Sequence, residues 1–268
     1  MREPRIDIHR LDVPIIDLAP DLEGFRIVHV TDLHFRRWTP TAEALRALLL
    51  TLDYELIAVT GDLGTSRRQW PKTVEMTRAF FLPLARRTPV FGVLGNHDWS
   101  RLPSDADFPL TILENERVII DHGAATLELV GIDQRRGGVE NVGVALGDRR
   151  RGDCTVLMAH YPSTVYRLPT RRVDLQLSGH THGGQIRLPW LGCVWANDRI
   201  ARRMARGMHR VLDTTLHVSA GIGASPPFPA RVNCPSEITV LTLGGIPSAL
   251  RSVRDQPDRE KEMALAAR

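Results

Sequence analysis

Asn96, His97 and Asp98 place an amide oxygen, an imidazole and a carboxylate on three consecutive residues, directly after Gly95. Such a trio can ligate a cation, move a proton or hold a phosphoryl oxygen. Alone, it is also the composition of an ordinary turn. Four further stretches carry the same donor types: Asp32-Leu33-His34, Gly61-Asp62, His160, and Gly179-His180-Thr181-His182. Imidazole and carboxylate donors without a thiolate are the ligand set of Mn, Fe or Zn held for hydrolysis. In extended backbone, residues two apart point to one side, so Asp32 with His34, and His180 with His182, can serve one centre. Gly183 and Gly184 leave room for a substrate or a backbone turn.

Each stretch follows a run that reads as a buried strand. Residues 25–30 lead into Thr31-Asp32, 56–60 into Gly61-Asp62, 90–94 into Gly95-Asn96, 156–159 into His160, and 174–177 into Gly179-His180. Between the first three strands the pattern is helical. Thr39 as N-cap and Pro40 at the first helical position start a helix that runs to about Leu52, with Leu45, Leu48, Leu49 and Leu52 on one face. A second helix is expected over 72–86, with Pro83 bending or shortening it. Parallel strands joined by helices put their carboxyl ends on one edge, so Asp32, His34, Asp62 and Asn96 are expected to converge there.

The second half differs. Strand-like runs at 118–120, 126–130, 155–159, 174–177, 216–219 and 238–243 have little helix between them and read as a second sheet packed on the first. Residues 5–16 read as edge strands, and the polar, Gly-rich 134–147 as a loop. A single domain over 1–247 is expected, followed by a charged tail over 248–268.

A length of 268 residues, 43% hydrophobic and 25% charged, suits one large α/β domain or two small ones. A net charge of +4 is too small to argue for a nucleic-acid partner. Lysine stands only at 72 and 261, so arginine carries nearly all the positive charge, and arginine suits phosphate recognition. Cys154, Cys193 and Cys234 are far apart and form no CxxC pair, which implies neither a disulfide framework nor a thiolate metal site. Cys193 and Cys234 read as small apolar residues. The first residues lack the apolar run of a signal peptide, and no run approaches the roughly 20 apolar residues that cross a bilayer. A cytoplasmic protein is the expectation.

Taken in order, the five stretches spell D-x-H, G-D, G-N-H-[DE], H and G-H-x-H. Over residues 25–190 the chain thereby resembles the calcineurin-like metallophosphoesterase superfamily. Val30-Thr31-Asp32-Leu33-His34, the run GHTHGGQI over 179–186, and residues 233–238 look like the bacterial YkuE-like phosphodiesterase branch. The chain departs from that branch at Phe35-Arg36-Arg37-Trp38, where small residues are usual. The resemblance implies a four-layer α/β/β/α sandwich of two mixed sheets and a site for two divalent metal ions. Asp32, His34, Asp62 and His182 would hold one ion. Asp62, Asn96, His160 and His180 would hold the other, with Asp62 bridging. The implied reaction is phosphodiester hydrolysis by a hydroxide held between the ions, in line with the leaving oxygen. His97 would be a non-ligand that bonds a phosphoryl oxygen or protonates the leaving group, with Asp98 fixing its orientation. Two alternatives accompany this reading. One is a pyrophosphatase acting on a lipid-linked nucleotide of the UDP-diacylglucosamine kind. The other is a non-catalytic metal-binding scaffold, against which the intact ligand set argues.

Arg36 and Arg37 are either solvated loop charges or contacts to a substrate phosphate. Trp38 and Trp99 flank the site in sequence, as packing or as a substrate wall. His9, His29, His122, His209 and His217 read as packing or surface histidines. Residues 188–195 are apolar and aromatic and lead into an expected amphipathic basic helix over 199–210. Its apolar side carries Ile200, Met204 and Met208 against Arg202, Arg203, Arg206 and Arg210. Such a helix packs on the core with a solvated arginine face, the favoured reading, or lies on an anionic membrane, which makes 188–210 a candidate peripheral membrane contact. A nucleic-acid binder wants a longer basic stripe with interleaved aromatics, which leaves a phosphoester small molecule or lipid as the expected partner.

Overall fold

Only Val13 and Ile15 are fully inside along β1 (Ile6–Ile16), the burial pattern of a sheet edge. The computed structural model to which it belongs describes residues 5–103, 107–224 and 230–247. β2 (Arg26–Val30), β3 (Leu56–Thr60) and β4 (Val90–Val93) are instead buried on both faces and alternate with helices. α1 (Pro40–Thr51) starts where expected, the Thr39 side chain accepting from Ala42 N–H at 3.1 Å. α2 (Trp70–Ala85) begins two residues early and keeps Pro83 in its last turn, where only one helical bond is lost.

A short β5 (Thr111–Ile112) follows, then β6 (Glu116–His122), β7 (Ala125–Gly131), α3 (Val142–Leu146), β8 (Cys154–Met158) and β9 (Leu175–Ser178). The chain closes with a two-stranded hairpin of β10 (Arg187–Leu188) and β11 (Gly192–Cys193), then β12 (Gly207–Val211), β13 (Thr214–Val218) and β14 (Ser236–Ile246). One six-stranded sheet runs β1-β14-β2-β3-β4-β5 and the other β12-β13-β9-β8-β7-β6. Both are mixed. β2 to β5 are mutually parallel while β14 is antiparallel to β2. β13, β9, β8 and β7 are parallel, with antiparallel β12 and β6 at the edges.

The sheets face each other across Ile27, Leu56, Leu241, Leu129, Val156 and Leu177. α1 and α2 cover the outer face of the first sheet through Leu45, Leu49, Phe80 and Phe81 on Val28, Val30, Ile57 and Val59. The fourth layer is thin. α3 lays Ala145 and Leu146 on Val130 and Leu157, and the turn Pro162–Arg167 brings Val165 beside Leu216 and Val218. This is the four-layer α/β/β/α sandwich, with its last layer reduced to short pieces.

Three expectations need correction. The strand at 238–243 belongs to the first sheet, inserted as β14 between β1 and β2, because its apolar run suits any buried strand position. The loop at 134–147 contains α3, capped by Asn141, which accepts from Val144 N–H at 2.9 Å. No helix forms over 199–210. A 3-10 turn (Arg202–Met204) and strand β12 stand there instead, because Gly207 at φ 95° ends any helix and β12 completes an edge against β13. Ile200 and Met204 are nonetheless buried, under Leu216 and Val218. The tail at 248–268 lies outside the described residues. Among the described residues no helix is long and apolar enough to cross a membrane.

Candidate metal centre

The five stretches meet at the carboxyl edge of both sheets. The loops after β2 and β3 interlock through Asp32 N–H on Gly61 O (3.1 Å) and His34 N–H on Asp62 O (3.0 Å). The loops after β8 and β9 join through Gly179 N–H on His160 O (3.1 Å). His180 N–H then donates to Asp32 Oδ2 at 3.1 Å, which ties the second sheet to the first. Asp32, His34, Asp62, His180 and His182 all sit at positive φ, between 48° and 68°. Residues other than glycine adopt that region at a cost, and it recurs where a site over-determines the backbone.

Each of four imidazoles gives one nitrogen to a backbone carbonyl. His34 Nδ1 lies 2.9 Å from Gly64 O, His160 Nδ1 2.8 Å from Thr60 O, His182 Nδ1 3.3 Å from Gly223 O, and His180 Nε2 2.7 Å from Asn197 O. A carbonyl only accepts, so those nitrogens carry protons, and in the neutral rings of His34, His180 and His182 the opposite nitrogen carries a lone pair. The Nε2 lone pairs of His34 and His182 face each other at 3.2 Å. His182 Nε2 is 3.4 Å from Asp32 Oδ1, and His34 Nε2 is 3.6 Å from Asp62 Oδ2. One atom each from Asp32, His34, Asp62 and His182 lies within 4.8 Å of all the others. On the other side of Asp62, His160 Nε2 is 3.4 Å from Asp62 Oδ1 and 3.1 Å from Asn96 Oδ1. The His180 ring stands 5.0 Å from that of His160. The two oxygens of Asp62 thus face two donor sets.

These residues fit cations. Asp32 Oδ1 is a buried carboxylate oxygen without a hydrogen-bond partner, aimed at the His182 lone pair. Burial, with a further push from the Asp62 charge, raises Asp32 to about 7. Burial pushes His34 down to about 4 and His180 to about 3, and holds His182 well below its ordinary value, so these rings are neutral and ready as ligands. Asp62 is held well below the usual carboxylate range. Burial opposes its charge, and the surrounding imidazoles of His160, His34 and His97 outweigh it. His160 is the exception among the rings: burial works against its proton, but Asp62 and Asp32 push it up to about 10.

Asp98 departs from its expected role. Its carboxylate accepts from the backbone N–H of Gly95 (2.8 Å), Asp62 (2.9 Å) and Gly64 (3.1 Å), and does not bond the His97 ring. His97 Nδ1 instead faces Thr65 O at 3.4 Å, and its backbone N–H donates to Asp62 Oδ1 at 2.8 Å. Trp99 is half-buried against the helix-side core, with Arg136 over its ring at 4.5 Å. Trp38 likewise carries Arg46 at 4.7 Å. Arg36 and Arg37 are exposed and line a cavity of about 390 Å³ with His34, Thr39, Leu45 and Ile222. His29 and His217 bond each other at 2.9 Å between the sheets, as buried packing histidines. Cys193 and Cys234 are buried beneath the 182–184 turn. Sequence reasoning missed Asn197, Gly223, Gly64 and Thr60, which act through carbonyls that every residue possesses.

Gly95 shows how tight the loops are. A Cβ there would stand 2.5 Å from Asp62 Oδ1. Gly95→Ala is expected to cost about 1–3 kcal/mol, as overpacking does. It should lower the melting temperature by roughly 2–4 °C per kcal/mol and displace Asp62, so that metal content falls. Unchanged metal stoichiometry by elemental analysis would show that the loop yields without moving Asp62.

Relatives share this chain across most of its length. "Uncharacterized metallophosphoesterase YkuE" of Bacillus subtilis is 29% identical over 238 residues, covering 82% of this chain and 79% of its own. "Phosphodiesterase YaeI" of Escherichia coli is 27% identical over 262 residues, covering 88% and 86%. "Uncharacterized metallophosphoesterase YkoQ" of Bacillus subtilis is 27% identical over 230 residues, covering 81% and 83%. The family model described as calcineurin-like phosphoesterase matches residues 25–184, the span from the start of β2 through His180 and His182. With interlocked loops, lone pairs turned on two carboxylates and this match over more than half its length, the chain belongs to the calcineurin-like phosphoesterase family and is a hydrolase of phosphoric esters.

Proposed function

We propose that the protein is a dinuclear metal-dependent phosphodiesterase. The observation that carries this reading is the arrangement of four imidazoles, each anchored by one nitrogen to a carbonyl, around the two faces of Asp62. Asp32, His34, Asp62 and His182 would hold one ion, and Asp62, Asn96, His160 and His180 the other. His180 would use Nδ1, since Asn197 takes its Nε2. Mn, Fe or Zn suits these donors. Two such ions supply Lewis-acid polarisation of the phosphoryl group and a hydroxide at neutral pH. His97 would bond a phosphoryl oxygen or give a proton to the leaving oxygen. Arg36 and Arg37 meet substrate charge at the cavity mouth. The name of the Escherichia coli relative supports a diester.

A pyrophosphate in a lipid-linked nucleotide is the second reading. The cavity favours it, joining Leu33, Leu45 and Ile222 to two arginines beside His34.

The test uses metal-stripped protein with Mn²⁺, Fe²⁺, Zn²⁺, Mg²⁺ or nothing restored. Cleavage of bis-(p-nitrophenyl) phosphate in preference to p-nitrophenyl phosphate, only with metal, is the expected result. Two bound metals without cleavage of either ester would sink the diester reading and direct the assay to nucleotide pyrophosphates.

A further inference from the structure

Half of the exposed large apolar side chains among the described residues cluster on one feature. Leu188 (46% exposed), Trp190 (105%), Leu191 (62%), Val194 and Trp195 (72%) belong to the β10–β11 hairpin and the residues after it, and Val232 joins them by a bridge to Ile186. The hairpin belongs to neither large sheet. At its tip Trp190 is wholly exposed and held at φ 69°, a backbone conformation that costs energy for a bulky residue. Soluble surfaces scatter apolar residues singly; two exposed tryptophans with two exposed leucines on one protruding turn mark an interaction site.

The charge beside it specifies the partner. Residues 186–212 contain six arginines and one carboxylate, Asp198, which is half-buried. Arg199, Arg202 and Arg203 are exposed on the segment packed beneath β11, where Cys193, Ala196 and Ala205 form a small core. Arg202 reaches Val194 O at 3.4 Å. Tryptophan and leucine at a tip with arginines behind it is the pattern of an interfacial membrane contact, the rings lying at headgroup level and the guanidiniums on phosphates.

We propose that this hairpin docks the protein on an anionic bilayer, with Trp190, Trp195, Leu188 and Leu191 entering the interfacial layer. The feature is rooted in the metal centre at both ends: Cys193 packs on Gly184, and Asn197 O accepts from His180 Nε2 at 2.7 Å. Docking therefore sets the centre beside the membrane surface, within reach of phosphoesters presented by lipids. The membrane contact resides in the hairpin, since the apolar residues of 199–210 are turned into the core.

The experiment is co-sedimentation with phosphatidylglycerol-containing vesicles and with pure phosphatidylcholine vesicles, for the wild type and for a Trp190→Ala/Trp195→Ala variant. Melting temperature and metal-dependent hydrolysis of the soluble diester are read separately, so that failure of docking and failure of the phosphodiesterase reading are distinguishable. The wild type is expected to bind anionic vesicles at low salt and to be released as salt screens the arginines. The variant, unchanged in melting, should bind about tenfold more weakly or worse, since each indole carries a large buried area at an interface. Absence of wild-type binding overturns the proposal, as does equal binding by the variant. Self-association of the wild type, lost in the variant and without vesicle binding, assigns the patch to a second copy of this chain and equally overturns it.

Discussion

His97→Ala is expected to keep both metal ions and lose about 10²–10⁴-fold in turnover of diesters with alkoxide leaving groups, the usual worth of general acid catalysis. The geometry separates the two effects. His97 touches Asp62 through its backbone N–H, at 2.8 Å, and that bond survives truncation of the ring. The ring itself stands 5.3 Å from the His34 ring, edge to face, with Nδ1 toward Thr65 O. It is half-buried, while the histidines placed around Asp62 are buried. Removing it opens space at the site's edge and leaves the donor sets intact. A p-nitrophenolate departs without a proton, so the same variant should cleave bis-(p-nitrophenyl) phosphate far less impaired than an alkyl diester. The check is elemental analysis together with the ratio of those two rates. Loss of both ions would remove His97 from the non-ligands. An equal loss on both esters would remove it from proton transfer.

The first sheet and its motifs are legible because every signal there is local. Thr39-Pro40 starts α1 by capping chemistry, and the apolar runs before Asp32, Asp62 and Asn96 suit only strands buried on both faces. Connectivity then forces the carboxyl ends together. Partner choice is not local. The run ending in β14 has the same composition whether it joins the first sheet or the second, and only the gap between β1 and β2 decides. The 199–210 segment misleads for a related reason. Ile200 and Met204 are four apart and buried, as a helix would have them, yet a single turn followed by an edge strand buries them equally. The anchoring of the four imidazoles was invisible for a different reason. It uses the carbonyls of Thr60, Gly64, Asn197 and Gly223, and a carbonyl leaves no trace in residue type.

Asp98→Ala carries the largest expected effect on stability. In the sequence Asp98 follows His97 and so reads as its orienting carboxylate. In the structure it is fully buried and bonds three backbone N–H groups from two motif loops. Truncation leaves all three donors unsatisfied, at about 1–3 kcal/mol each, and so on the order of 5 kcal/mol together. That approaches the whole stability of an ordinary domain and corresponds to a melting temperature lower by roughly 10–20 °C. Metal content should fall with it, because the loop that Asp98 holds also presents the Asp62 carboxylate and the Gly64 carbonyl that anchors His34. Asp98→Asn retains one acceptor and turns an amide N–H toward a backbone N–H, so an intermediate loss is expected. Calorimetry and elemental analysis of the two variants decide. If Asp98 served only to orient His97, its alanine variant would copy His97→Ala, with metals retained and melting unchanged. Three N–H bonds into the loops that present Asp62 and Gly64 leave no route to that outcome while those loops keep their shape.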